Sequence, residues 1–317
     1  GTINTAVGSS SGTALTTGDE NVFLGSAAGY ATTGGNKCVV IGRMAGFGDI
    51  SADGAILIGY EAGKDLTTGT SQIAIGYQAL KANTTGGDNI IIGREAATAA
   101  NDAGFDKNIG IGNYVFDGVA SGIDAEGNVA IGHEAMSGVL TDIAHSNTAV
   151  GTSSLLTLTS GASNTAIGGS AAAALTIGRY NIAVGYQSLL LEDVGDTTVA
   201  IGYQALANQD TAGGSNVTTG NTAVGYAVGL EQTTGTNNTY LGYIAGRYNQ
   251  TGVNNTYLGY QAGYGASGQS NSSNTAVGKD ALLAITTGGG NTILGATAGD
   301  ALTDGSNNTF LGIGAGS

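Results

Sequence analysis

The sequence predicts an all-β fold: a parallel β-solenoid, or β-roll, of 18 coils on a 17-residue base period. Three observations carry this. A motif of Asn-Thr-Ala-Val-Gly type, seen as Asn238-Thr239-Tyr240-Leu241-Gly242, returns 17 residues later as Asn255-Thr256-Tyr257-Leu258-Gly259. Registered on its glycine it occurs 18 times, from Gly8 to Gly312. Twelve of the 17 intervals are 17 residues, the others being 19, 20, 19, 23 and 19. A fixed short period decides architecture, and solenoids grow by adding coils rather than by enlarging a core. Composition agrees, with 58 glycines and no proline. In a stack of strands nearly every N–H is donated to the next coil, and proline has none to give. A hydrophobic content of 41% with a strict period excludes disorder. Glycine is not every third residue, which excludes collagen.

The elements of one coil follow, counted from the register glycine as position 0. Position −7 is Gly in 12 coils, often within Thr-Thr-Gly (Thr67-Thr68-Gly69, Thr233-Thr234-Gly235). A glycine there is expected to supply a positive φ for the return turn. Position −4 is Asn in 14 coils, with Cys38, Ala55, Gln72 and Thr198 as exceptions. Stacked asparagines form amide ladders along a cross-β direction, so Asn238, Asn255, Asn291 and Asn308 are assigned to a structural ladder. Glycan or ion binding by that row is the alternative.

Positions −3 to −1 form the strand. Position −3 is Thr, Ile or Val and position −1 is Val, Ile or Leu in all 18 coils. The two share one face of a strand, and β-branching suits it. Position −2 is also apolar or small, so the strand is apolar on both faces and expected to be buried on both. One coil offers a single interior. The second face therefore calls for another chain or layer, and the isolated chain is not expected to be a monomer.

Beyond the Gly bend, position +3 is always Ala, Ser or Val, which implies a thin interior. Positions −2 and +4 trade volume: Tyr240 goes with Gly246 and Phe310 with Gly316, but Ala200 with Leu206 and Ala276 with Leu282. Close-packed interiors fill a fixed volume once, so the two positions are expected to line one compartment. The coil reads as strand, Gly bend, second short strand and polar turn. Tyr occupies +1 in seven coils: Tyr60, Tyr77, Tyr186, Tyr203, Tyr226, Tyr243 and Tyr260. That row either covers the ladder or a chain–chain seam, or stacks on sugar rings.

The pattern breaks in two places. Insertions of 2, 3 and 2 residues fall consecutively between Gly93 and Gly151, where Phe105, Ala125 and Ala144 replace the −7 glycine. Nine of the 23 acidic residues lie between Asp88 and Asp142, and both histidines are in this band. A 6-residue insertion sits within residues 207–219. Insertions in solenoids gather on one loop-bearing side. The residues set out as a candidate contact surface are Asp102, Asp106, Asp124, His133, Asp142, His145, Gln209 and Asp210. The competing readings are a cation site using Asp142 and His145, and drift in solvated turns.

Several chemistries are excluded. A net charge of −14 with no basic stripe opposes nucleic acid and anionic lipid. No run is long enough for a membrane span. The single Cys38 forms no internal disulfide. No catalytic triad, recurrent metal-ligand spacing or phosphate loop is found, so no cofactor is called for. Glu192 and Asp193 read as solvated charge in a turn.

The Asn-Thr-Ala-Val-Gly-Tyr-Gln-Ala-Leu units, with partial matches at residues 73–80, 182–189 and 199–206, resemble the head repeats of trimeric autotransporter adhesins. They resemble still more the repeats of bacteriophage tail fibres and related bacterial surface proteins. The resemblance implies a left-handed parallel β-roll of three chains around one axis, located outside the cell or on a virion. The period departs from it, being longer than the adhesin unit. The chain starts and stops inside a repeat, so an excerpt of a longer fibre is expected. At about 4.8 Å per coil, eighteen coils give a rod of about 86 Å. The expected function is a non-enzymatic shaft or head segment of an extracellular fibre, with copies of itself and a cell-surface glycan or receptor as partners. The rivals are a self-assembling filament subunit and an ice-binding solenoid. For the last, Thr at −3 alternates freely with Ile and Val, which weakens it.

Overall fold

The computed structural model describes every residue except 102, 103, 120, 121, 142 and 212–216. The fold is an all-β parallel solenoid, with no helix among the described residues. The chain divides into two compact units, Gly1–Ala162 and Ser163–Ser317. The first holds nine three-residue strands, from Thr5–Val7 to Thr148–Val150. The second holds nine of the same kind, from Thr165–Ile167 to Thr309–Leu311. Within each unit every strand runs parallel to the next in the repeat register. Thr239 lies opposite Thr256 and Tyr240 opposite Tyr257.

The strand's two faces differ. Position −2 is buried in nearly every coil, while −3 and −1 are half-buried or exposed. The strand is thus apolar on both faces but covered on one, and the second face is open within the chain. The threonines of that open face are gathered rather than freely alternating. Six consecutive coils of the second unit carry Thr222, Thr239, Thr256, Thr275, Thr292 and Thr309, whereas Ile56, Ile73, Ile90 and Ile109 fill the same position in the first.

The register glycine is required twice over. All 18 have φ between +123° and +149°, a region that L side chains rarely adopt. A Cβ on Gly242 would also overlap the carbonyl oxygen of Gly259 in the next coil. The −7 glycines are needed for a different reason from the one expected: none of them has a positive φ. They make room. A Cβ on Gly235 would lie 2.5 Å from the Gly252 oxygen and 3.2 Å from the Asn238 amide nitrogen.

Among the described residues no second strand follows the Gly bend. Positions +2 and +4 have left-handed φ in coil after coil, as at Gln187 (54°) and Leu189 (52°), and so does −5, as at Asn237 (57°). Alternating handedness turns successive peptide groups along the stacking direction. The +2 N–H donates to the coil before (Ile244 to the Tyr226 oxygen, 2.9 Å) and the +4 N–H to the coil after (Gly246 to the Ala262 oxygen, 3.0 Å). One extra two-residue pairing joins Gly195–Asp196 to Val217–Thr218.

The interior is thin, as small +3 residues require. Positions −2 and +4 meet: a Cβ on Gly246 would stand 2.8 Å from the Tyr240 ring, and one on Gly63 would overlap the Leu57 side chain. A further interior position, +7, escaped the sequence reading. Leu66, Leu158, Leu175 and Ile285 occupy it, fully buried. So do the polar Glu192, Gln209, Gln232 and Asn249.

Candidate interaction surface

Two ladders lock coil to coil. The Asn255 side-chain oxygen accepts the Asn274 N–H (3.0 Å), while its amide nitrogen donates to the Asn238 oxygen (3.1 Å) and the Asn271 carbonyl (2.8 Å). Asn238, Asn291 and Asn308 repeat this pattern in part: Asn308 donates to the Asn291 oxygen at 2.9 Å, and that oxygen also accepts the Asn308 N–H at 2.9 Å. The carbonyl that receives the amide belongs to position −7. It keeps that role where insertions replace glycine, with Asn108 donating to Ala125 and Asn128 to Ala144. The inserted residues precede −7, so they leave the ladder intact. Phe105 turns inward instead and meets Phe116 edge-on at 5.6 Å.

The second ladder, at position −6, was not anticipated. A side-chain acceptor there takes the N–H of the preceding coil's −6 residue. Asn36 accepts from Asp19 (2.8 Å), Asp53 from Asn36 (3.0 Å), Ser272 from Val253 (3.0 Å) and Ser306 from Gly289 (3.0 Å). The signal in the sequence was the run of Asp, Asn and Ser two residues before the asparagine row.

This ladder absorbs part of the candidate contact surface. The Asp106 carboxylate accepts the Gly87 N–H, and His145 Nδ1 accepts the Glu126 N–H at 3.1 Å. His133 is exposed, edge-on to Tyr114 at 5.6 Å, with Nδ1 3.7 Å from Glu134. Asp124 and Asp210 are exposed. Asp102 and Asp142 lie outside the described residues. Among the described residues no three His, Cys, Asp or Glu side chains are grouped to hold a metal ion, and no pocket opens.

Gln209 is not on a contact surface, and Glu192 is not solvated. Both are fully buried in the second unit. Glu192 accepts from the Gly195 N–H (2.7 Å), the Thr211 hydroxyl (2.6 Å) and Gln209 Nε2 (2.7 Å). A buried carboxylate is tolerated when its lone pairs are filled in this way. Burial and the charges of Asp210 and Glu192 push the neighbouring Asp193 carboxyl up. Polar contacts continue through the interior: Gln232 donates to Gln209 (3.2 Å) and Asn238 to Gln232 (3.2 Å).

The Tyr240 oxygen accepts from Asn249 at 2.9 Å, and the Tyr257 hydroxyl donates to Asn255 at 3.1 Å and to Asn271. Burial pushes both phenols well above their ordinary range. An unfolded tyrosine ionises above about pH 10, whereas these two stay protonated in the fold. The folded state then holds more protons, so its stability falls as pH rises. The expected loss is about 1.4 kcal/mol per phenol per pH unit above about 10, until the folded phenols themselves ionise. Denaturant titrations between pH 9 and 11 check this, and replacing both residues by Phe should flatten the slope. An equal slope in the double variant would contradict it.

The open face consists of three outward rows. Positions −3 and −1 are uncharged in every coil. Along one unit of nine strands they run about 38 Å. The +1 row, which carries Arg43, Arg94 and Lys279 as well as the tyrosines, borders them on one side. In the second unit the +1 row is a continuous stack: Tyr186, Tyr203, Tyr226, Tyr243 and Tyr260, with centroids 5.0 to 5.7 Å apart. In the first unit Tyr60 and Tyr77 stack at 5.3 Å between Arg43 and Arg94. The rings spend their faces on one another and offer edges and hydroxyls outward. Sugar stacking along the whole row is therefore not available.

No protein-family model, curated protein or solved structure matches this chain.

Proposed function

We propose that this chain is a non-enzymatic structural segment of an extracellular fibre, of the bacteriophage tail-fibre or bacterial surface-adhesin kind. Copies of it associate around one axis, three chains together, with their −3 and −1 rows turned to one another and the +1 row left at the outer rim of the seam. The observation that carries this reading is the uncharged outer stripe. An acidic chain of net charge −14 keeps both outward strand positions free of charge in 18 coils. Free solvation would not require that, but burial would. The resemblance of the repeats supports the same assembly, and the two hydrogen-bonded ladders suit a load-bearing segment.

The first unit, with its Ile pairs, offers the more apolar seam. Ile73→Glu with Ile92→Glu places a charge on each of two adjacent coils there. Light scattering should give a multiple of 30.9 kDa for the parent chain and a shift toward 30.9 kDa for the variant. The circular dichroism of the variant should remain that of a β fold. A stable, folded 30.9 kDa species from the parent chain would overturn the proposal. Elongated particles in negative-stain micrographs are expected, and compact globules would count against it.

A further inference from the structure

The tyrosine row is closed at every end but one. Tyr60 lies under Arg43 (5.6 Å), Tyr77 under Arg94 (6.0 Å) and Tyr260 under Lys279 (5.8 Å). Tyr203, Tyr226 and Tyr243 have a neighbouring ring on each side. Tyr186 has Tyr203 on one side, 5.7 Å away, and on the other only Gly169, the +1 residue of the preceding coil. A Cβ built on Gly169 would touch the Tyr186 ring at 3.4 and 3.6 Å, so the open face looks directly over that glycine. The row is missing a rung there.

Polar groups flank the gap. Gln187, next to Tyr186, accepts from Gln204 Nε2 at 2.9 Å through its side-chain oxygen. That turns its own amide nitrogen to the other side, where it has no partner among the described residues. Its backbone N–H is tied to the Gly169 carbonyl at 2.9 Å, which holds Gln187 beside the gap. Ser170, in the coil of Gly169, is half-buried, and its hydroxyl has no partner among the described residues.

We propose that Gly169, Ser170, Tyr186 and Gln187 form a binding slot for one pyranose ring of a neutral glycan. A pyranose offers an apolar C–H face to an aromatic ring and hydroxyls around its rim. Here the ring face is Tyr186, and the rim would meet the Gln187 amide and the Ser170 hydroxyl. A bare aromatic ligand could use the first but not the other two. The chain's net charge of −14 selects against acidic sugars. The slot gives the fibre reading a ligand class and one address, but its test does not depend on oligomeric state, which light scattering reports separately.

The glycine makes the test clean. No left-handed φ holds Gly169, so a side chain fits without backbone strain, and most of the next coils already carry Tyr at this position. Gly169→Tyr should add the missing rung and fill the slot while deleting nothing. The probes are methyl β-D-glucopyranoside, methyl β-D-galactopyranoside and N-acetylglucosamine, followed by saturation-transfer NMR and by shifts of labelled Tyr rings. Binding of at least one sugar in the millimolar range is expected. Gly169→Tyr and Tyr186→Ala should each weaken it at least about tenfold. Gln187→Ala should weaken it less, and Tyr77→Ala should leave it unchanged. Melting curves confirm that each variant is folded. Absence of binding by all three sugars, undiminished binding in folded Gly169→Tyr, or binding of p-cresol with no sugar would each overturn the proposal.

Discussion

Gly242→Ala is expected to destabilise the second unit by about 3–5 kcal/mol, the sum of a glycine-only backbone region and an overpacked contact. Gly242 has φ +136°. Its added methyl would meet the Gly259 carbonyl, which is backbone and fixed in turn by its own neighbours. Relief requires moving two coils apart, at the cost of the ladder bonds that join Asn238 to Asn255. Gly87→Ala is the control. It has ordinary φ, and its nearest contacts lie at 3.6 Å or beyond. It should be neutral or raise stability by about 0.4–1 kcal/mol through the unfolded chain. Denaturant midpoints of the two variants check the contrast, and similar losses in both would mean that the register glycine is not the constraint.

The second large effect concerns the shared compartment of Tyr240 and Gly246. Gly246→Leu should cost about 1–3 kcal/mol, because the new side chain enters the space of the Tyr240 ring. Leucine is possible there on backbone grounds, since Leu206 has φ +49° at the same position and Gly246 has +60°. Tyr240→Ala alone should cost about 3–5 kcal/mol through the cavity. It also strips Asn249 of its hydrogen bond to the Tyr240 oxygen. The double variant copies Ala200 with Leu206 and should be more stable than Tyr240→Ala alone. Its recovery stays incomplete because the buried Asn249 amide is left without that partner. The measurement is a double-mutant cycle by chemical denaturation, and simple addition of the two losses would contradict a shared space.

Much of the fold was legible because the repeat exposes what each position tolerates. The volume trade between Tyr240 and Gly246 could be read from residue sizes alone, since packing tests size directly. The asparagine row was equally plain, because one residue type serves one hydrogen-bond pattern. The −7 glycine was found in the right place with the wrong cause: sequence cannot separate a need for φ from a need for space. The left-handed turns after the bend were invisible, because Leu80, Ile244 and Glu61 are not turn formers and coil-to-coil hydrogen bonds impose the conformation on them. Glu192 and Gln209 were read as surface because their donors, Thr211 and the Gly195 N–H, come from residues that carry no sign of the pairing. The gap beside Tyr186 needed the stack itself, since only geometry shows which ring faces are already taken.

The ladders have a kinetic consequence. Their bonds join residues 17 to 20 positions apart, as Asn238 to Asn255 and Asn108 to Asn128. Divided by a chain of 317 residues, such spans give a relative contact order of about 0.05, below that of helical bundles. A protein made wholly of parallel strands should thus close its loops as cheaply as one made of helices. Each finished coil presents a full set of acceptors to the next, so growth can begin at any coil and spread in both directions. The slow step is then making the first pair of coils, after which the chain zips.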